Sequence, residues 1–199
     1  GVDGLLLVTP YYNKATQNGL KAHYKAIAKE VNVPIILYNV PSRTGTRLAP
    51  QTVVDLCHEV PNIVGVKDAT GDISEVAELM SLAKGTVDVY SGNDDQVLPI
   101  LSLGGLGVIS VLSNVAPKET HDMVMKFFEG DTKGAAEIQL KAIPLIHALF
   151  SEVNPIPVKT ALNLMGREAG PLRMPLSEME DANKAKLAEE LKNFGIKLA

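Results

Sequence analysis

Ile63-Val64-Gly65-Val66-Lys67-Asp68-Ala69-Thr70-Gly71 is the stretch on which the fold turns. Its apolar half is continuous rather than alternating, the pattern of a strand covered on both faces in a parallel sheet. Its polar half begins abruptly at Lys67 and ends in the turn residues Thr70 and Gly71. Four further runs of the same kind lie at residues 4–9, 34–39, 87–91 and 107–111, with the central run itself spanning 62–67. Helical periodicity fills the gaps. Leu20, Tyr24, Ile27 and Val31 form one stripe, spaced as a helix face requires. Pro50 suits a first helical position, and Val53, Cys57 and Val60 continue the face behind it. Asp72 can cap the next helix with Glu75 as its capping-box partner. Its apolar side is Ile73, Val76, Leu79, Met80 and Ala83, and Val97, Ile100 and Leu101 mark a fourth helix.

Strand and helix thus alternate five times, at the spacing of βα units. Beyond residue 111 the pattern is helical throughout. Pro117 opens one helix through Phe128, and a second spans 132–150 with Pro144 expected to kink it. A third follows Pro157, and a last one is expected from Ser177 with Glu180 completing a capping box. The reading divides the chain into a βα portion, residues 1–130, and a helical portion, 131–199. Alternating βα units build either a doubly wound sheet or a closed barrel. No G-x-G-x-x-G follows any strand, which disfavours the dinucleotide-binding version. The GGLG at 104–107 reads as a helix-to-strand turn; a phosphate loop would want a Lys or Arg close by, and none is there.

Composition narrows the function. Of 199 residues, 46% are hydrophobic and 21% charged, with a net charge of -4. That is globular composition, and the negative balance argues against nucleic acid as a partner. No run of 18 apolar residues exists, so no membrane span is expected. The single Cys57 has no internal disulfide partner, fitting a reducing cytoplasm, and reads as a small core residue. The chain opens at Gly1, without Met, and runs at once into Leu5-Leu6-Leu7-Val8, whereas a natural N-terminus rarely opens at a buried strand.

The polar residues gather at the C-terminal ends of the strands, where barrels build active sites. They are the segments 9–13, 38–45, 67–71 and 91–95. A lysine closing a buried strand has its ammonium partly desolvated, which lowers its pKa. The neutral amine can add to a ketone and form a Schiff base that serves as an electron sink. Tyr38 ends the preceding strand as Lys67 ends its own, so both face one pocket, and the phenol can shuttle protons during imine formation. Arg43, in Pro-Ser-Arg-Thr-Gly, offers a fork of donors for a carboxylate. Taken singly, each also has a plain structural reading: an ion-paired lysine, a rim tyrosine, a surface arginine.

The segments LLLVTPYYN (5–13), ILYNVPSRTG (36–45), IVGVKDATG (63–71), GVISV (107–111) and NPIPVK (154–159) closely resemble dihydrodipicolinate synthase, in order and in spacing. The resemblance implies a TIM (β/α)8 barrel with a C-terminal helical extension, present here as about five of eight βα units. It implies condensation of pyruvate with L-aspartate semialdehyde, with no metal and no cofactor, because the imine supplies the electron sink. By the same resemblance, Lys67 is the Schiff-base lysine, Tyr38 the proton-transferring tyrosine and Arg43 the carboxylate-binding arginine. Tyr12 reaches across a subunit interface into the neighbour's site, Tyr11 lines that interface, and Gly92, Ile109 and Asn154 lie near the pyruvate. A cytoplasmic homotetramer follows from it as well. The family carries a relay threonine and a Gly-Thr-Thr-Gly loop ahead of these segments, and neither is in this sequence. At roughly 30 residues per unit, three units of about 90 residues would supply them. N-acetylneuraminate lyase and sugar-acid aldolases share a Tyr and a Schiff-base Lys. Arg43 favours the synthase, since a guanidinium there suits an aldehyde that carries a carboxylate. A non-catalytic paralogue would have little reason to keep Tyr12, Tyr38, Arg43 and Lys67 together.

Overall fold

The computed structural model describes all residues, Gly1–Ala199. The five apolar runs become five parallel strands: β1 (Leu5–Val8), β2 (Ile35–Asn39), β3 (Ile63–Asp68), β4 (Asp88–Ser91) and β5 (Gly107–Val108). They lie side by side in sequence order, each hydrogen-bonded to the next. Between them run α1 (Gln17–Lys29), the single turn α2 (Pro41–Thr44), α3 (Pro50–Glu59), α4 (Ile73–Ala83) and α5 (Val97–Ser102). Sequential order with helical crossovers is the wound sheet of a barrel arc rather than a sheet that doubles back.

The strand register explains which residues do what. Leu7, Leu37, Val66 and Val89 stand in one row across the sheet. Leu37, Val66 and Val89 are fully buried, and Leu7 is partly buried against the same core. The helix stripes meet them there: Leu20 and Tyr24 of α1, Val53 and Leu56 of α3, and Val76 and Leu79 of α4. A fully buried aliphatic side chain contributes about 1.5–3 kcal/mol, so this layer dominates the stability of the sheet. The next row, Val8, Tyr38, Lys67 and Tyr90, points to the other face. That face is only partly covered: Leu6 is 43% and Val8 39% exposed. Continuous apolar runs therefore have one face on helices and one on the inner side of the arc.

Local expectations held where the signal was chemical. The Asp72 carboxylate accepts from the Ser74 and Glu75 N–H groups at the start of α4. Glu75 does not close the box; it pairs with Arg47. The GGLG segment ends α5 and leads into β5 as a turn. β5 is shorter than expected, although the Ile109 N–H still reaches the Ser91 carbonyl at 2.9 Å. Cys57 packs against the core of this sheet.

The chain forms two compact units, Gly1–Ile109 and Ser110–Ala199. The second is helical: α6 (Pro117–Phe128), α7 (Thr132–Leu149), α8 (Ile156–Leu164) and α9 (Asp181–Phe194). Its core is Leu145, Leu149, Ile156, Ala161, Leu187, Leu191 and neighbours. The division falls earlier than residue 130 because α6 packs along α7 and so groups with the helices. Helix α7 runs through Pro144 unbroken. The capping box expected at Ser177 does not form, and α9 starts at Asp181. The Glu152 carboxylate takes its place: it accepts from the Glu180 N–H at 3.0 Å and from Asn183 Nδ2 at 2.9 Å. A tertiary acceptor has replaced the local one. No helix is long and apolar enough to cross a membrane.

Candidate active site

Tyr38 and Lys67 are register partners on β2 and β3. Lys67 Nζ sits over the Tyr38 ring, 4.3 Å from its centre, an approach the register allows because both side chains stand on one face of adjacent strands. Burial lowers the Lys67 pKa below its ordinary 10.5, against the opposing pull of the Asp94 carboxylate. Burial also raises the Tyr38 phenol, with the Arg43 charge acting the other way. The pair is thus biased toward a neutral amine beside a neutral phenol. Those are the forms that imine chemistry uses: a nucleophile and a proton source.

Gly92 follows β4 directly behind this lysine. A Cβ there would lie 2.7 Å from Ala69 Cβ, 2.9 Å from the Asp68 carbonyl and 3.1 Å from Lys67 Cε. Only glycine allows the β4 loop to approach the lysine stem so closely. Ile109 comes to the same strand end through its N–H bond to Ser91. Arg43 is exposed on the α2 turn. The turn is closed by Gly45 in the left-handed region (φ 66°), whose N–H reaches the Pro41 carbonyl. Asn154 belongs to the helical unit, partly buried just ahead of α8. Tyr11 and Tyr12 do not join the Tyr38–Lys67 pair from within the chain. They stand 69% and 89% exposed, with Tyr12 in the left-handed region.

Beyond the Tyr38–Lys67 row lies a band of buried polar residues: Thr9, Asn39, Asp68 and Ser91, all at most 3% exposed. Sequence reasoning assigned none of them. Their signal was present, since each is the polar residue that closes a strand. Asp94 was missed as well; it is buried, and its charge acts on Lys67. A cavity of about 510 Å³ has its walls in the helical unit, among them Lys159, Asn163, Leu172 and Lys184. None of the strand-end residues lines it, because five strands form an arc and an arc encloses no barrel mouth.

Comparison with known proteins identifies the family and the fold. The 4-hydroxy-tetrahydrodipicolinate synthase of Lachnoclostridium phytofermentans is 60% identical over 196 residues, 98% of this chain and 67% of the relative. The chain thus spans about two thirds of the length of such relatives. The dihydrodipicolinate synthase of Acinetobacter baumannii, solved in complex with pyruvate, is 46% identical with a TM-score of 0.94, over 99% of this chain and 67% of that one. The Thermotoga maritima enzyme is 44% identical with a TM-score of 0.96, over 99% and 68%. These solved structures are TIM barrels, and this chain covers part of that fold. Residues 1–194 match the Dihydrodipicolinate synthetase family, and the chain belongs to that family.

Proposed function

We propose that this chain carries the Schiff-base chemistry of a 4-hydroxy-tetrahydrodipicolinate synthase, joining pyruvate to L-aspartate semialdehyde on the route to diaminopimelate and lysine. The observation behind it is the Lys67–Tyr38 pair: a partly desolvated amine 4.3 Å from the ring of a protonated phenol, on adjacent strands. The neutral Lys67 amine adds to the pyruvate ketone. Tyr38 supplies and recovers the protons as the carbinolamine loses water and leaves the imine. Loss of a methyl proton gives the enamine, whose carbon attacks the aldehyde. The substrate's own amine then displaces Lys67 and closes the ring. Arg43 holds the carboxylate of the aldehyde substrate through a charge-assisted bond. Gly92, Ile109 and Asn154 shape the pyruvate subsite. The exposure of Tyr12 and Tyr11 supports a role completed by a neighbouring subunit, within a cytoplasmic homotetramer built as a dimer of dimers.

Borohydride trapping tests the reading. Full-length protein incubated with pyruvate and borohydride gains a reduced pyruvyl adduct, and peptide mass spectrometry places it on Lys67. An adduct on Lys159, or none, overturns it.

A further inference from the structure

The rim loops of this sheet are held by a repeated device. Three of the buried polar residues that close strands, Asn39, Asp68 and Ser91, turn toward the loop following their own strand. The Asp68 carboxylate accepts from the Thr70 N–H at 3.1 Å and the Thr70 hydroxyl at 2.8 Å. The Ser91 hydroxyl donates to the Asn93 carbonyl at 2.7 Å and lies 3.2 Å from the Asn93 N–H. Asn39 makes the longest of these connections. Its Nδ2 donates to the Leu48 carbonyl, and its Oδ1 accepts from the Leu48 N–H, both at 3.0 Å. One side chain therefore closes residues 39–48 into a ring, and Arg43 rides on that ring midway. Inside it, the Thr44 hydroxyl lies within reach of the Val40 and Thr46 carbonyls, at 3.1 and 2.8 Å. The return strand of the ring is gripped from outside as well. Gln17 donates to the Arg47 carbonyl at 2.8 Å and accepts from the Ala49 N–H at 3.1 Å.

We infer that Asn39 is a positioning residue for the second substrate: it sets the distance between Arg43 and the Tyr38–Lys67 pair. The inference rests on the proposed synthase chemistry. Three observations carry it. Asn39 adjoins Tyr38 in the chain and pairs with Asp68, the residue after Lys67, in the register. It is 2% exposed and Leu48 is fully buried, so water cannot replace the two bonds when the amide is removed. Its two bonds run to the main chain of a single residue, a geometry that fixes a loop's path and adds nothing to the sheet ladder. Gln17, by contrast, is only half-buried, so solvent can reach its contacts.

The test is a double-mutant cycle in the full-length enzyme with Asn39→Ala and Arg43→Ala. Asn39→Ala is expected to lower kcat/KM for the aldehyde about tenfold to a hundredfold, the effect of moving a binding group by ~1 Å. Pyruvate-dependent trapping of Lys67 by borohydride stays within about twofold of wild type. In the Arg43→Ala background the Asn39 substitution costs nothing further, because the group it positions is gone. Where Asn39→Ala does not fold, Asn39→Asp, of the same shape, takes its place in the cycle. Additive losses, an unchanged kcat/KM for the aldehyde, or a trapping rate that falls in parallel overturns the inference. Failure of the wild-type enzyme to trap pyruvate at all overturns the synthase reading instead.

Discussion

Lys67 shows how a single position acquires reactivity from its surroundings. Taking an ammonium out of water disfavours the charged form, so the folded-state pKa falls below 10.5. The sign gives a measurable consequence. The neutral fraction of Lys67 rises through a pH window lying below that of an ordinary lysine, even with Asp94 pulling the other way. Competitive labelling with acetic anhydride across pH 7–11 is expected to give Lys67 a midpoint below 10.5. A Lys67 midpoint at or above 10.5 would remove the desolvation argument. Cys57 shows the same physics without the chemistry: burial pushes its thiol up to about 12, which disfavours the thiolate, and the side chain packs against the sheet core. The reactive-lysine position was legible in the sequence because an apolar run stops at Lys67. The buried Asp94 was not, because an acid in a loop carries no pattern that tells its burial.

Among the elements, helix α4 tests local reading most directly. Asp72 satisfies two N–H groups at its first turn, which have no helical partner. Asp72→Ala is expected to cost about 1 kcal/mol, read as a lowered unfolding midpoint in urea with an unchanged slope. An unaltered midpoint would mean that solvent caps the helix equally well. The contrast with α9 is instructive. Ser177 and Glu180 have the right residue types and spacing, yet that helix begins later and is held by Glu152 from another segment. Capping boxes are local signals and lose whenever a distant acceptor reaches the same N–H first. Glu75 departs for a similar reason: Arg47, brought close by the fold, outcompetes the backbone for its carboxylate.

For the molecule as a whole, the sheet leaves β1 and β5 as its two edges. Leu6 and Val8 on the first of them stand exposed on the inner face. An unpaired apolar edge invites pairing with other chains. Residues 1–199 are therefore expected to self-associate, read by light scattering as a mass above that of one chain. A mass equal to that of one chain would mean that the β1 edge does not drive association. The sequence was sufficient for the five βα units, the strand-end position of Lys67 and Tyr38, and the helical half, because hydrophobic periodicity and residue chemistry act over a few neighbours. The strand-end places of Thr9, Asn39, Asp68 and Ser91 were legible too, but their burial and the register that sets Asn39, Asp68 and Ser91 side by side came from the fold. So did the grip of Asn39 on Leu48. The physical reason is that a polar side chain's partner is chosen by proximity in space, and pairs such as Glu152 with Glu180 come together only after the apolar faces have packed.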